Sequence, residues 1–181
     1  MRRLLPALAA LLLPACAAAA EPAPTPPPAA ATPAPPCTGA AHHDFDFWLG
    51  DWEVFAANGA RAGENAITRA EYGCLLVEHW TDAQGITGQS YNFVDPGTNK
   101  WRQLWVSGGA VIDLSGGLTE TGAMRLEGTI AYQAGGPALP FRGEWTPNAD
   151  GSVTQHFQQG DPATGDWSDW FTGTYVRKVA D

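Results

Sequence analysis

The chain has 181 residues, 19 of them acidic against 10 basic, for a formal net charge of −9. That acidity, with no basic stripe interleaved with aromatics, argues against nucleic acid as a partner and against direct attraction to anionic lipid head groups. Eight tryptophans are enough for the core of one domain, and the length leaves room for a leader besides.

Met1-Arg2-Arg3 and the apolar run from Leu4 to Ala20 have the basic start, greasy middle and small-residue end of a secretory signal, residues 1–20. Pro6 and Pro14 interrupt a run already short of the roughly 20 apolar residues of a spanning helix, so a retained transmembrane anchor fits less well. Two processing sites compete. Leu13-Pro14-Ala15-Cys16 resembles a lipoprotein box, which would make residues 1–15 the signal and Cys16 the lipidated N-terminus. Ala18-Ala19-Ala20 before Glu21 fits ordinary secretion. Either route implies a periplasmic or secreted protein that meets a membrane only through a lipid on Cys16. Residues 21–36 are almost entirely Pro, Ala and Thr and carry eight of the 15 prolines. They have too little to bury to offset their ordering entropy and read as an extended tether.

The domain is expected over residues 37–181. Two cysteines fall in it, Cys37 and Cys74, and in an exported protein such a pair favours a disulfide closing a loop of roughly 37 residues, worth about 3–4 kcal/mol. The alternative is a buried Cys74 and an incidental Cys37. Five aromatics crowd residues 42–55, where Phe45, Phe47 and Trp48 precede Gly50 and Trp52. This predicts a short helical plug at residues 45–49 leading through a glycine bend into a first strand at 52–55.

Strand-length segments follow at residues 64–72, 74–81, 86–94, 101–106, 110–115, 124–132, 139–146, 152–158 and 170–178, separated by Gly, Asn, Asp and Pro turns. No helical period persists beyond the plug. Nine to ten short strands linked by hairpin turns predict an all-β fold, a single antiparallel up-and-down barrel, since closure hides every edge. A two-sheet sandwich is the competing arrangement.

Period two sorts the strands into faces. Ser90 and Asn92 oppose Tyr91 and Phe93; Trp101, Gln103 and Trp105 oppose Arg102 and Leu104; Val153, Gln155 and Phe157 oppose His156; Phe141, Gly143 and Trp145 oppose Arg142 and Glu144. Amides between large apolar neighbours either line a pocket in a bore too wide to fill or satisfy one another and the plug. Glu78 shares a face with Leu76 and Trp80, so it and His79 point opposite ways. An inward Glu78 needs a partner or a proton, and Arg142 is the candidate partner. His42 and His43 beside Asp44 and Asp46 lack ligand spacing, and no metal is expected there. No cofactor is expected either: haem, with His156 as axial ligand, rests on barrel analogy alone and is disfavoured. No nucleophile elbow, phosphate loop or dinucleotide fingerprint is present.

Phe45-Asp46-Phe47-Trp48-Leu49-Gly50-Asp51-Trp52-Glu53-Val54, Gly73-Cys74 through Glu78-His79-Trp80, Thr87-Gly88 with Ser90 and Asn92, and Trp101-x-Gln103-x-Trp105-Val106 together resemble a bacterial family of unassigned function. The resemblance spans nearly all of residues 45–177. That family looks like a relative of the lipocalin, fatty-acid-binding and nitrobindin barrels, so a calycin-like barrel is implied. The opening departs from the glycine-rich nitrobindin pattern, which also weighs against haem.

The expected function is binding of a small, partly polar organic ligand inside the barrel, near Glu78, Ser90, Asn92, Gln103, Trp105, Arg142 and Gln155. An enzyme using Glu78 as acid or base, and an envelope structural or interaction module, are the alternatives; no catalytic residue is assigned. If Cys16 is the processed terminus, mass spectrometry of the membrane fraction finds a lipid-modified chain starting there, whereas an unmodified chain starting at Glu21 excludes it.

Overall fold

Ten strands form where the sequence alternates side chains that fill a bore with side chains that meet water. A computed structural model describes residues 36–132 and 135–179. The signal, Cys16 and all but the last residue of the tether lie outside the described residues. The strands are β1 (Gly50–Ala56), β2 (Arg61–Ala70), β3 (Leu75–Asp82), β4 (Thr87–Asp95), β5 (Lys100–Ser107), β6 (Ala110–Leu118), β7 (Met124–Ala131), β8 (Leu139–Pro147), β9 (Val153–Gly160) and β10 (Trp167–Arg177). Each pairs antiparallel with its neighbours in sequence, and β1 closes on β10 with Trp52 opposite Arg177 and Val54 opposite Tyr175. The fold is the expected up-and-down barrel, and that closing ladder rules out the sandwich.

Two boundaries differ from expectation for reasons of turn geometry. The first hairpin is tight: Ala56 N–H donates to Ala60 O at 2.8 Å around Gly59, so β2 starts earlier than predicted. At its far end Glu71, Tyr72 and Gly73 all have positive φ, at 48°, 56° and 95°, which ends the strand before the predicted residue 72. Cys74 therefore lies in the turn and not within the third strand. It is bonded to Cys37, with the Cα atoms 5.0 Å apart, so the predicted disulfide is present.

Two short 3-10 turns, Ala40–His43 and Asp46–Trp48, form the plug. Phe45 and Trp48 are fully buried and stack at 4.8 Å, with Trp101 and Trp145 set edge-on against Phe45 at 5.7 and 5.4 Å. Aromatic pairs of this geometry contribute about 0.5–1.5 kcal/mol each beyond the area they bury. The plug backbone is held by side chains of the wall: Trp52 Nε1 donates to Trp48 O at 2.9 Å and Trp101 Nε1 to Ala41 O at 3.0 Å. Arg69 donates to His42 O and Gly73 O and pairs with Asp46, which also bonds His43 Nδ1. The His-Asp cluster is thus a fastening of the plug.

Because all connections are hairpins, the turns alternate between two poles. The plug occupies the pole where β1 begins and β10 ends, and the β1–β2, β3–β4, β5–β6 and β9–β10 turns lie at the other. Leu76, Leu114, Met124, Leu126 and Trp145 pack beneath the plug as the core. Replacing both Cys37 and Cys74 by Ser is expected to lower stability by about 3–4 kcal/mol, the loop-closure value for this separation, in urea unfolding followed by tryptophan fluorescence.

Candidate functional site

Above the core, toward the open pole, the inward faces turn polar. Asn65 from β2, Glu78 from β3, Ser90 and Asn92 from β4, Gln103 from β5 and Gln155 from β9 are all buried, each at most 5% exposed. Register explains their meeting. Glu78 is the cross-strand partner of Ser90, and Asn92 of Gln103, so one ladder position links each pair across neighbouring strands.

These groups form one connected chain. Gln103 Nε2 donates to Asn92 Oδ1 at 2.9 Å, Asn92 Nδ2 to Ser90 Oγ at 2.8 Å, and Ser90 Oγ to Glu78 Oε2 at 2.5 Å. From the other side Asn65 Nδ2 donates to Glu78 Oε1 at 2.7 Å and to Tyr175 Oη at 3.3 Å, and Tyr175 Oη donates to Gln155 Oε1 at 3.0 Å. Gln103 and Gln155 do not bond one another; each ends one arm of the chain. Glu78 lies between the arms and accepts from both.

Burial pushes the Glu78 carboxyl above its ordinary value of 4.5, and the hydrogen bonds from Ser90 and Asn65 oppose but do not cancel that. Burial, aided by the charge on Glu78, raises the Tyr175 phenol well above 10.0. Glu78 has no cationic partner among the described residues. The expected one, Arg142, is on the wrong side of the wall. Phe141, Gly143 and Trp145 take the inward positions of β8, which leaves Arg142 outside, its Nε donating to Gln158 Oε1 at 2.8 Å and its guanidinium 4.1 Å from the Trp167 ring centre. His156 is also on the outer wall, with Nε2 2.8 Å from Asp169 Oδ1, and points away from any group the bore could hold. Among the described residues no three His, Cys, Asp or Glu side chains are grouped to hold a metal.

A cavity of about 330 Å³ begins at this chain and runs to the open pole. Glu78, Gln103, Gln155 and Tyr175 are its polar lining; Trp80, Trp105, Phe157, Trp170 and Phe171 are its aromatic walls; Asp82 and the exposed Ile86 lie at the mouth. Of the predicted site residues, Glu78, Gln103, Trp105 and Gln155 line the space, Ser90 and Asn92 stand behind it as hydrogen-bond partners, and Arg142 is absent. Gly88 shapes it. A Cβ there would come within 2.8 Å of the Trp105 ring, so glycine lets the indole lie against β4.

Asn65, Tyr175 and Trp170 were not anticipated. Asn65 carries the same signal as Gln103, a polar residue on an inward face between Gly63 and Ile67. Trp170 carries none, because a register shift between Asp169 and Phe171 breaks the alternation of β10 and brings its ring to the mouth. No family model matches the sequence, and no curated protein matches it.

Suppressed ionisation of Glu78 makes its contribution to stability depend on pH with a definite sign. Its contribution to stability is complete below about pH 4.5, where both folded and unfolded states are protonated, and is lost as pH rises through the folded-state value. Glu78→Gln keeps the shape and cannot ionise. Its stability relative to the native chain is therefore expected to improve as pH rises above about 4.5 and to level off once folded Glu78 has ionised, in urea titrations; a difference that does not change with pH would refute the assignment.

Proposed function

We propose that this barrel binds a small, partly polar organic molecule in the open half of its bore. The observation that carries the reading is the cavity itself: aromatic walls, one open end, and a few fixed polar groups at the bottom, the composition that small-molecule sites have. A volume near 330 Å³ is at the lower end for such sites and suits a compact ligand of up to about three rings. Export belongs to the same proposal, supported by the signal-like N-terminus and by the Cys37–Cys74 disulfide, which favours an oxidising compartment. So does membership of the bacterial family resembled by the opening motif.

A second reading gives Glu78 a catalytic part, favoured by one observation: a buried carboxyl that lines a cavity and holds its proton above the ordinary carboxyl range has the protonation behaviour of a general acid. Its mark would be turnover of a bound ligand that disappears in Glu78→Gln.

Binding is tested with the uncharged fluorophore N-phenyl-1-naphthylamine, which brightens in apolar cavities. The native chain is expected to enhance its emission, and Ala62→Phe, which places a ring in the cavity wall, to weaken binding about tenfold, some 1.4 kcal/mol. No enhancement, or enhancement indifferent to Ala62→Phe, would overturn the proposal.

A further inference from the structure

The charges lining the cavity all have one sign. Glu78 lies at its floor and Asp82 at its mouth, Tyr175 is the other titratable group, and no Lys, Arg or His is among the lining residues. The exterior does not reverse this, since the whole chain is acidic. We propose that the ligand is an organic cation, an ammonium group carried on an aromatic or apolar body, with the Glu78 carboxylate as its counter-ion. This rests on the cavity being a ligand site.

Three features of the structure support the assignment independently of the charge count. The first is the direction of the hydrogen bonds. Ser90 and Asn65, the two side chains that bond Glu78, both act as donors to it, and Ser90 is itself backed by Asn92 and Gln103. The surroundings are wired for a carboxylate, yet supply no positive charge to balance one.

The second feature is spare capacity. A carboxylate accepts about four hydrogen bonds. Glu78 receives two from side chains, and it lines the cavity. An ammonium arriving there supplies both donors and the missing charge. It would also draw the carboxyl toward ionisation, reversing the effect of burial.

The third is the walls. Trp80, Trp105 and Trp170 line the path from the mouth to the floor, and indole faces attract cations by about 0.5–2 kcal/mol each, depending on desolvation. An anionic ligand of the same shape would instead be buried between Glu78 and Asp82, with repulsion and desolvation acting together.

The test uses the full chain with bound N-phenyl-1-naphthylamine and three competitors of nearly equal size: 2-phenylethylamine, 2-phenylethanol and 3-phenylpropionate, at pH 7.5 and constant ionic strength. The amine is expected to displace the probe at concentrations at least about tenfold lower than the alcohol, with the carboxylate weakest. In Glu78→Gln the amine and alcohol are expected to come within about twofold of each other, while the probe still binds. An alcohol that competes as well as the amine in the native chain, a bound probe that no amine displaces, or an amine preference that survives Glu78→Gln would overturn the cation assignment and leave the cavity reading standing. If the probe does not bind at all, the cavity reading fails and this one with it. The ranking in the native chain decides the matter even if Glu78→Gln does not fold.

Discussion

A ten-stranded closed wall encloses more space than its own inward side chains can fill, and that surplus volume is the constraint on which the rest of this molecule depends. Empty apolar space is destabilising in proportion to its size. At one pole the difficulty is met by inserting a separate piece of chain: the stacked Phe45 and Trp48 fill the bore and meet Trp101 and Trp145 from the wall. The segment's turns hold only a few backbone bonds of their own. Further carbonyls are tied by Trp52, Trp101 and Arg69, and its approach by the Cys37–Cys74 disulfide. The plug and the sheet are consequently one packing problem. Neither Phe45 nor Trp48 has a buried environment without the closed barrel, and the barrel has a void without them.

The opposite half solves the same surplus differently, with polar side chains that satisfy each other and leave room. Buried amides and hydroxyls are costly unless paired; here one arm passes donors from Gln103 through Asn92 and Ser90 to Glu78, while in the other Asn65 donates both to Glu78 and to Tyr175, which donates on to Gln155. That arrangement fixes the side chains lining the floor before anything is bound, which lowers the ordering cost of binding. It also concentrates the electrostatic imbalance at one carboxyl. The wall outside has abundant pairing, such as Arg102 with Asp113 and Arg61 with Glu64, so Glu78, the one buried acid among the described residues, stands apart from these partly exposed charges.

Strand alternation made much of this legible in the sequence. The inward placement of Glu78 follows from its spacing to Leu76 and Trp80, and those of Ser90, Asn92, Gln103 and Gln155 follow in the same way. Arg142 shows where a different kind of inference fails. Its own alternation with Phe141 and Trp145 places it outside, and charge balance with Glu78 is the sole argument for placing it inside. Periodicity, set by backbone geometry, outranks charge balance, which a protein can leave to a proton or a ligand. The features that escaped reading are those produced by backbone irregularity: the left-handed Glu71 and Tyr72 that put Cys74 in a turn, and the register shift that brings Trp170 to the mouth. No residue type announces either. The export signal and the lipidation site expected from residues 1–20 lie outside the described residues.

Both ends of the barrel chain emerge beside the plug. Arg177 donates to Leu49 O and lies over the Trp52 ring, and Lys178 N–H bonds Asp51 O, so β10 finishes where β1 starts. The barrel chain thus enters and leaves at one pole, and its aromatic-lined cavity opens at the other. A reporter or a surface joined to the barrel directly before residue 36 or after residue 179 would therefore meet the plugged pole, with the aromatic mouth at the other.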